Sequence, residues 1–521
     1  MRTSAITIVL STLLLAVTNN DVPANVDQTI ANITSKPIYA HSVFGIYVAD
    51  RSTGQMLIDR MGEKMFNPGS IMKTFSTASA LKAYGPAYRF RTPVYRTGAV
   101  SGGVLRGNLV LVASGDFSFG LRERPDGSMA FNSFPEIDHN YADAGFPGAA
   151  LLKDSDPLAA LNELARKVRA AGIRRVAGNI VIDDRLFASY RGWADGLISP
   201  IWINENQIDI TATPTSPGRP ARIDWRPKTA SLRVISKVTT VAAGAKTNPL
   251  EVEPKGAGIL QISGEVAADA SPSLRNAPIA NPAAFARTAF IEALRRAGVA
   301  VSASATGGNP ANLLGGIAGY TPSAKVAQHV SPPLSQFVKV ILKISYNRGA
   351  DLMVCLVAVK SGSRNCADGL AAEVKTITSL GVSPKSTIVY DGAGSDDNGR
   401  TTPIDQVTFL RNLLGQSWGG FVRDGMAILG VDGTQATNGV GTPAAGKVRV
   451  KDGSRVAGSP SGQAYLSAKT QVGYMLTQSG RQLVYAVYLN DVPSTPDTVF
   501  ETFTTADHDV AAIVTAIQAG Y

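Results

Sequence analysis

The sequence predicts an α/β (α+β) protein whose catalytic part is split by a large β-rich insertion. Three observations carry this reading. A serine and a lysine stand three residues apart at the head of a buried-helix pattern, NPGSIMKTFSTASAL (67–81). Strand and helix patterns flank that stretch, and comparable patterns return beyond residue 320. The chain between them is strand-rich and too long to be the loops of one compact domain. At 521 residues the whole chain also exceeds one ordinary domain.

In chain order, MRTSAITIVLSTLLLAV has one early Arg2 and an apolar core from Ala5 to Val17. It is short for a membrane span and fits the h-region of a secretory signal, with a cut near Ala24. An uncleaved anchor is the other reading. The mature protein is therefore expected in the periplasm or otherwise outside the cytoplasm. VFGIYVADRSTGQMLIDR reads as two strands, Val43–Ala49 and Gln55–Ile58, around a turn at Ser52–Gly54. Asn67-Pro68-Gly69 breaks the chain, and apolar residues at Ile71, Met72, Phe75, Ala78 and Leu81 then describe a buried helix. The expected division is 1–24 signal, 25–94 first catalytic part, 95–320 insertion read as two nested β-rich domains, and 321–521 second catalytic part. Strands at Leu109–Ala113, Asn179–Asp183 and Ile208–Ala212 belong to the insertion. Residues 123–149 read as a surface loop.

Three residues along a helix bring Ser70 and Lys73 onto one face. Serine becomes a competent nucleophile when a base takes its proton. A lysine among apolar neighbours loses preference for its charge and can be that base. The second match, Ser79 to Lys82, falls on the opposite face. Composition narrows the alternatives. The net charge of +10 comes without an arginine-rich block, so nucleic acid is not an expected partner, although anionic envelope polymers and a peripheral membrane contact are compatible with it. The four histidines, His41, His139, His329 and His508, show no metal-ligand spacing, and neither metal nor organic cofactor is expected. Cys355 and Cys366 could pair with each other or stand as separate buried thiols.

Further pieces of a serine–lysine site follow. Ser345-Tyr346-Asn347 sits between two helical patterns. Lys451-Asp452-Gly453-Ser454 follows a strand pattern at Lys447–Lys451, with 481–490 read as its antiparallel neighbour. Ser-x-x-Lys, Ser-x-Asn and Lys-Thr-Gly occur in this order in penicillin-recognising enzymes. The chain resembles the penicillin-binding protein 4 type of D-alanyl-D-alanine carboxypeptidase/endopeptidase, the class C low-molecular-mass penicillin-binding proteins. The resemblance runs from about Val43 to Asn490 and includes LVASGD (111–116), VIDDRLF (181–187), NENQIDI (204–210), SPPL (331–334), YDGAG (390–394) and GVDGTQA (430–436).

The resemblance implies a serine transpeptidase/β-lactamase-like catalytic domain, an antiparallel sheet flanked by helices. It implies peptidoglycan stem peptides as substrates and β-lactams as inhibitors. By carry-over, Ser70 is the nucleophile, Lys73 its base, Ser345 a proton relay supported by Lys451, and Asn347 a contact to the substrate amide. Backbone N–H groups of Ser70 and Ser454 form the oxyanion hole, with Asp452 and Gly453 at the substrate. An acidic residue of the insertion pairs with the stem amine, and Asp183, or its neighbour Asp184, is the candidate. The departure is Asp452 where the motif has threonine. An ionised Asp452 would repel a substrate carboxylate by ~4 kcal/mol at 4 Å and an effective dielectric of 20. That leaves a weak, altered or inactive peptidoglycan-binding scaffold as the alternative function. Lys469-Thr470-Gln471 is a rival third motif. A remote alternative is an esterase using Gly415-Gln416-Ser417-Trp418-Gly419.

Overall fold

The computed structural model describes residues 22–144, 148–192, 196–256, 258–316 and 319–521. The signal-like segment before residue 22 and the tip of the 123–149 loop lie outside them. Among the described residues no helix is long and apolar enough to cross a membrane.

The catalytic part is built on a six-stranded sheet in the order Met56–Arg60, Val43–Asp50, Gln482–Ser494, Ala464–Leu476, Val448–Gly458, Ala427–Ile428, with each neighbouring pair antiparallel. Strand periodicity divides the sheet between two cores. Leu483, Tyr485, Val487 and Leu489 face one way, onto the Ala24–Thr34 and Val499–Gly520 helices. Val484, Ala486 and Tyr488 face the other, towards Phe75, Phe337, Leu352 and Phe409. The expected third-motif strand is longer than Lys447–Lys451 and runs Val448–Gly458. Residues 481–490 are not its direct neighbour, because Ala464–Leu476 intervenes between the two.

The helix of the opening stretch is nearly buried all round. A 3₁₀ turn at Gly69–Met72 leads into Lys73–Tyr84. Its polar side chains bond backbone carbonyls: Thr74 to Ile71 at 2.8 Å and Ser76 to Gly392 at 2.8 Å. Gly85, at φ +80°, ends it in a conformation that costs glycine little. A disulfide joins Cys355, on the Asn347–Lys360 helix, to Cys366.

In the region of the expected insertion the chain returns on itself: strands Arg89–Arg96 and Lys325–Pro333, on either side of 97–324, pair antiparallel. Leu109–Val112 and Ile180–Asp183 complete that sheet, and two three-stranded sheets follow. The insertion is not only β: helices Ala159–Ala170 and Pro282–Arg296 pack into its core.

His329 ties the insertion together. Its Nδ1 lies 2.6 Å from Glu163 on the Ala159–Ala170 helix, and its Nε2 lies 3.0 Å from Glu123. Burial opposes the imidazolium, but Glu123, Glu163 and the nearby Asp116 outweigh it and raise the pKa from 6.5 to about 10. Asp116, desolvated and facing Glu123, is pushed up to about 7, so its own linked contribution also falls with rising pH but is spent by about pH 7, below most of the His329 window. A raised histidine pKa gives stability that is complete below the unfolded value of 6.5 and is lost as pH rises through about 10. His329→Gln removes that contribution. The wild-type advantage in Tm over this variant is expected to shrink between pH 6.5 and 10 in calorimetry. A pH-independent difference would show that His329 is neutral in the folded protein.

Candidate active site

Asn67-Pro68-Gly69 turns the chain with Gly69 at φ +55°, and delivers Ser70 half-buried at the start of the helix. Lys73 is fully buried. Its Nζ donates to Ser70 Oγ at 2.6 Å, to Asn347 Oδ1 at 2.6 Å and to the Ala393 carbonyl at 2.9 Å. Ala393 is held by the YDGAG turn, where the Asp391 carboxylate accepts from the backbone N–H groups of Ala393, Ser395 and Asp396. Gly394 is required there, since a Cβ would fall 1.9 Å from the Gly69 carbonyl.

Ser345 sits at φ +60°, a strained position for serine, between helices Leu334–Lys343 and Asn347–Lys360. The Tyr141 hydroxyl, from the 123–149 segment, bonds its carbonyl. Lys451 Nζ donates to Ser345 Oγ at 3.0 Å, to the Asp452 carbonyl and to Asp452 Oδ1 at 3.2 Å. Gly453 lets the Val448–Gly458 strand lie against the nucleophile: a Cβ would sit 2.8 Å from Ser70 N and 2.3 Å from Thr470 Oγ1. Ser70, Lys73, Ser345, Asn347, Lys451, Gly453 and Ser454 therefore converge on one place.

Asp452 is buried and engaged. Its Oδ1 accepts from Thr434 Oγ1 at 2.6 Å, and Lys469 Nζ is 3.9 Å from its Oδ2. Burial opposes its charge, but Lys451, Lys469 and the Thr434 hydroxyl outweigh burial and hold the carboxyl well below its ordinary range. Desolvation pulls Lys451 below the ordinary lysine range, with Asp452 working against it. Lys469 is not the third motif, yet it belongs to the site. It stands opposite Ser454 across the strand pair, and its Nζ donates to Ser454 Oγ at 3.0 Å and pairs with Asp507 of the Val499–Gly520 helix.

A cleft of about 500 Å³ opens over Ser70, Ser345 and Ser454. Phe134, Ile137 and Tyr141 wall one side, and Phe500 and Phe503 of the last helix wall another. The 123–149 segment is thus more than a surface loop. Asp183 and Asp184 are not part of this cleft. The Asp183 carboxylate is bound by Arg185 and by the Tyr320 hydroxyl at 2.7 Å. Glu136 and Asp138 are the insertion carboxylates on the cleft wall, and Asp138 is paired with the buried Arg122. Ser417 follows the Pro403–Leu413 helix rather than a strand, which is the wrong setting for an esterase elbow. Ser79 is buried away from the cleft, and Lys82 is exposed and bonds Ser379 at 3.1 Å.

Among the described residues two groups have metal-like composition, Asp116–Glu123–His329 and Asp138–His139–Glu205. In both, most of the donor atoms are engaged, although Asp116 Oδ2 and His139 Nε2 have no hydrogen-bond partner among the described residues. Both His329 nitrogens are bonded to glutamates, and Arg122 occupies Asp138 and Glu205.

A serine bonded to a buried lysine, with a second serine–lysine pair across the same cleft on a helix-flanked antiparallel sheet, defines a penicillin-recognising serine hydrolase. The sequence profile of the D-Ala-D-Ala carboxypeptidase 3 (S13) family matches residues 26–505, and the chain belongs to that family. The D-alanyl-D-alanine carboxypeptidase of Actinomadura sp. (strain R39) is 26% identical over 450 residues, covering 82% of this chain and 76% of the relative. D-alanyl-D-alanine carboxypeptidase DacB of Haemophilus influenzae is 21% identical over 519 residues, covering 94% and 93%. The structure of penicillin binding protein 4 from Haemophilus influenzae complexed with a β-lactam has a TM-score of 0.65 at 18% identity, covering 94% of this chain and 99% of that one.

Proposed function

We propose that the protein cleaves the D-Ala-D-Ala bond of peptidoglycan stem peptides through an acyl-enzyme at Ser70. As a member of its family it is a serine-type D-Ala-D-Ala carboxypeptidase. The carrying observation is the pair of serine–lysine contacts in one cleft, 2.6 Å at Lys73–Ser70 and 3.0 Å at Lys451–Ser345. Ser70 Oγ attacks the carbonyl carbon, and its proton passes to Lys73. The backbone N–H groups of Ser70 and Ser454 receive the oxyanion. The C–N bond breaks as Ser345, backed by Lys451, relays to the leaving amine the proton that Lys73 took from Ser70, so that Lys73 and Ser345 return to their starting protonation. Asn347 orients Lys73 and contacts the substrate amide. Water then hydrolyses the ester and restores Ser70. The same chemistry on a cross-link is endopeptidase action.

Glu136, exposed on the cleft wall, is the insertion carboxylate placed to meet a stem-peptide amine, rather than Asp183. β-Lactams acylate Ser70 and leave slowly. The protein acts in the periplasm or elsewhere outside the cytoplasm, after export by its first segment.

Incubation with a fluorescent penicillin followed by mass spectrometry is expected to place the adduct on Ser70. Ser70→Ala is expected to lose it, together with D-alanine release. Equal labelling of Ser70→Ala would end the mechanism. D-alanine release by wild type above the Ser70→Ala background would exclude the scaffold reading that Asp452 motivates.

A further inference from the structure

The subsite beside Ser454 has an unusual charge balance. Asp452 lines the cleft, and its Oδ1 is occupied by Thr434 and Lys451. Its Oδ2 accepts no hydrogen bond from the described residues; Lys469 Nζ, at 3.9 Å, is beyond bonding distance. Lys469 is itself shared between Ser454 Oγ and Asp507, and Asn438 Nδ2 holds the other Asp507 oxygen at 2.6 Å. Two lysines thus face two carboxylates before any substrate arrives.

A terminal carboxylate entering here adds an uncompensated negative charge. It also sets one acceptor-only group against another, since ionised carboxylates carry no donor. A primary carboxamide has nearly the same shape and opposite chemistry at one end. Its NH₂ can donate to Asp452 Oδ2 while its carbonyl accepts from Lys469 Nζ or Ser454 Oγ. A threonine at position 452 would offer a hydroxyl donor and no charge, which suits a carboxylate.

We propose that this subsite selects a leaving group whose α-carboxyl is a primary carboxamide, with Asp452 as the specificity-determining residue. The substrate class is amidated stem peptides, in which the C–N bond to the leaving amine breaks and the carboxamide passes through unchanged. The proposal rests on Ser70 as the acylated nucleophile.

The test compares kcat/KM for an acyl-D-alanyl-D-alanine peptide and its D-alaninamide counterpart, in wild type, Asp452→Thr and the isosteric Asp452→Asn. The ratio is taken within each enzyme, so a general loss of activity does not move it. Wild type is expected to favour the carboxamide on the order of tenfold or more, because the rejected analogue leaves a buried acceptor unpaired. Asp452→Asn should lose the preference and Asp452→Thr should reverse it. A wild-type preference for the carboxylate peptide, or the same ratio in all three enzymes, would overturn the proposal. A phenyl ester of the acyl-D-alanine, whose leaving group enters with neither charge nor amide, checks the nucleophile separately. Failure of wild type to turn over that ester above Ser70→Ala would remove the Ser70 reading and this proposal with it.

Discussion

Lys73→Met lowers the acylation rate by a fluorescent penicillin on the order of 10²–10⁴-fold, the usual contribution of a positioned proton acceptor. Methionine keeps an unbranched stem in the fully buried slot, so the helix packing is disturbed little. What disappears is the nitrogen 2.6 Å from Ser70 Oγ. The buried Ala393 carbonyl also loses its donor. Leaving such a buried acceptor unmet costs about 1–3 kcal/mol, so the variant is also expected to unfold at lower temperature. Two readouts separate the effects: the acylation rate at saturating probe, and Tm. Lys82→Ala is the control, because Lys82 is exposed and its Nζ bonds the Ser379 hydroxyl, away from the cleft. A Lys73→Met enzyme that is folded and acylated at the wild-type rate would remove Lys73 from the proton path.

The parts of the site that could be read in one dimension are those where spacing along an element sets the geometry. Ser70 and Lys73 are three residues apart on one helical path, and Ser345 and Asn347 flank the start of another. Lys451 is recognisable because glycine two residues on lets the strand lie against Ser70. The parts that were not legible depend on contacts between distant segments. Lys469 looks like a competing motif in the sequence, and becomes a partner of Ser454 only through the strand register. Asp507 reaches that pair from the last helix, and Tyr141 reaches Ser345 from the insertion. The Ala393 carbonyl has no side-chain signature at all; only the Asp391 and Gly394 turn around it leaves a trace.

The same distinction holds for the fold. Alternation along 482–494 fixes which face of the central strand meets which helices. In the insertion, Leu161, Leu164, Ala165 and Val168 recur at helical spacing, a signal that a purely strand-rich reading passes over. Asp183 shows why an acidic residue in a matching word is not enough. Its carboxylate is consumed by Arg185 and Tyr320 on its own side of the insertion.

Arg122→Met is expected to be among the most destabilising single changes in the chain. The guanidinium is fully buried. It forks onto Asp138 at 2.8 and 3.0 Å, pairs with Glu205 and donates to the Ala130 carbonyl at 3.1 Å. Around it the charges balance: Arg122, His139 and Arg226 face Asp138, Glu205 and Asp209. Burial opposes the His139 imidazolium, but Asp209 and Glu205 outweigh it and raise its pKa to about 9, so the balance holds at neutral pH. Removing one cation from such a group leaves buried carboxylates uncompensated, at about 3–5 kcal/mol. Arg122→Lys keeps the charge but loses the fork, and should fall between the two. The consequence reaches the active site, because Asp138 anchors the segment that carries Phe134, Ile137 and Tyr141 onto the cleft wall. Arg122→Met is therefore expected to lower Tm and to raise KM for stem peptides, as measured by calorimetry and D-alanine release. A wild-type Tm in Arg122→Met would mean that the surrounding side chains repack at little cost. A lowered Tm with unchanged KM would mean that the cleft wall does not depend on this anchor.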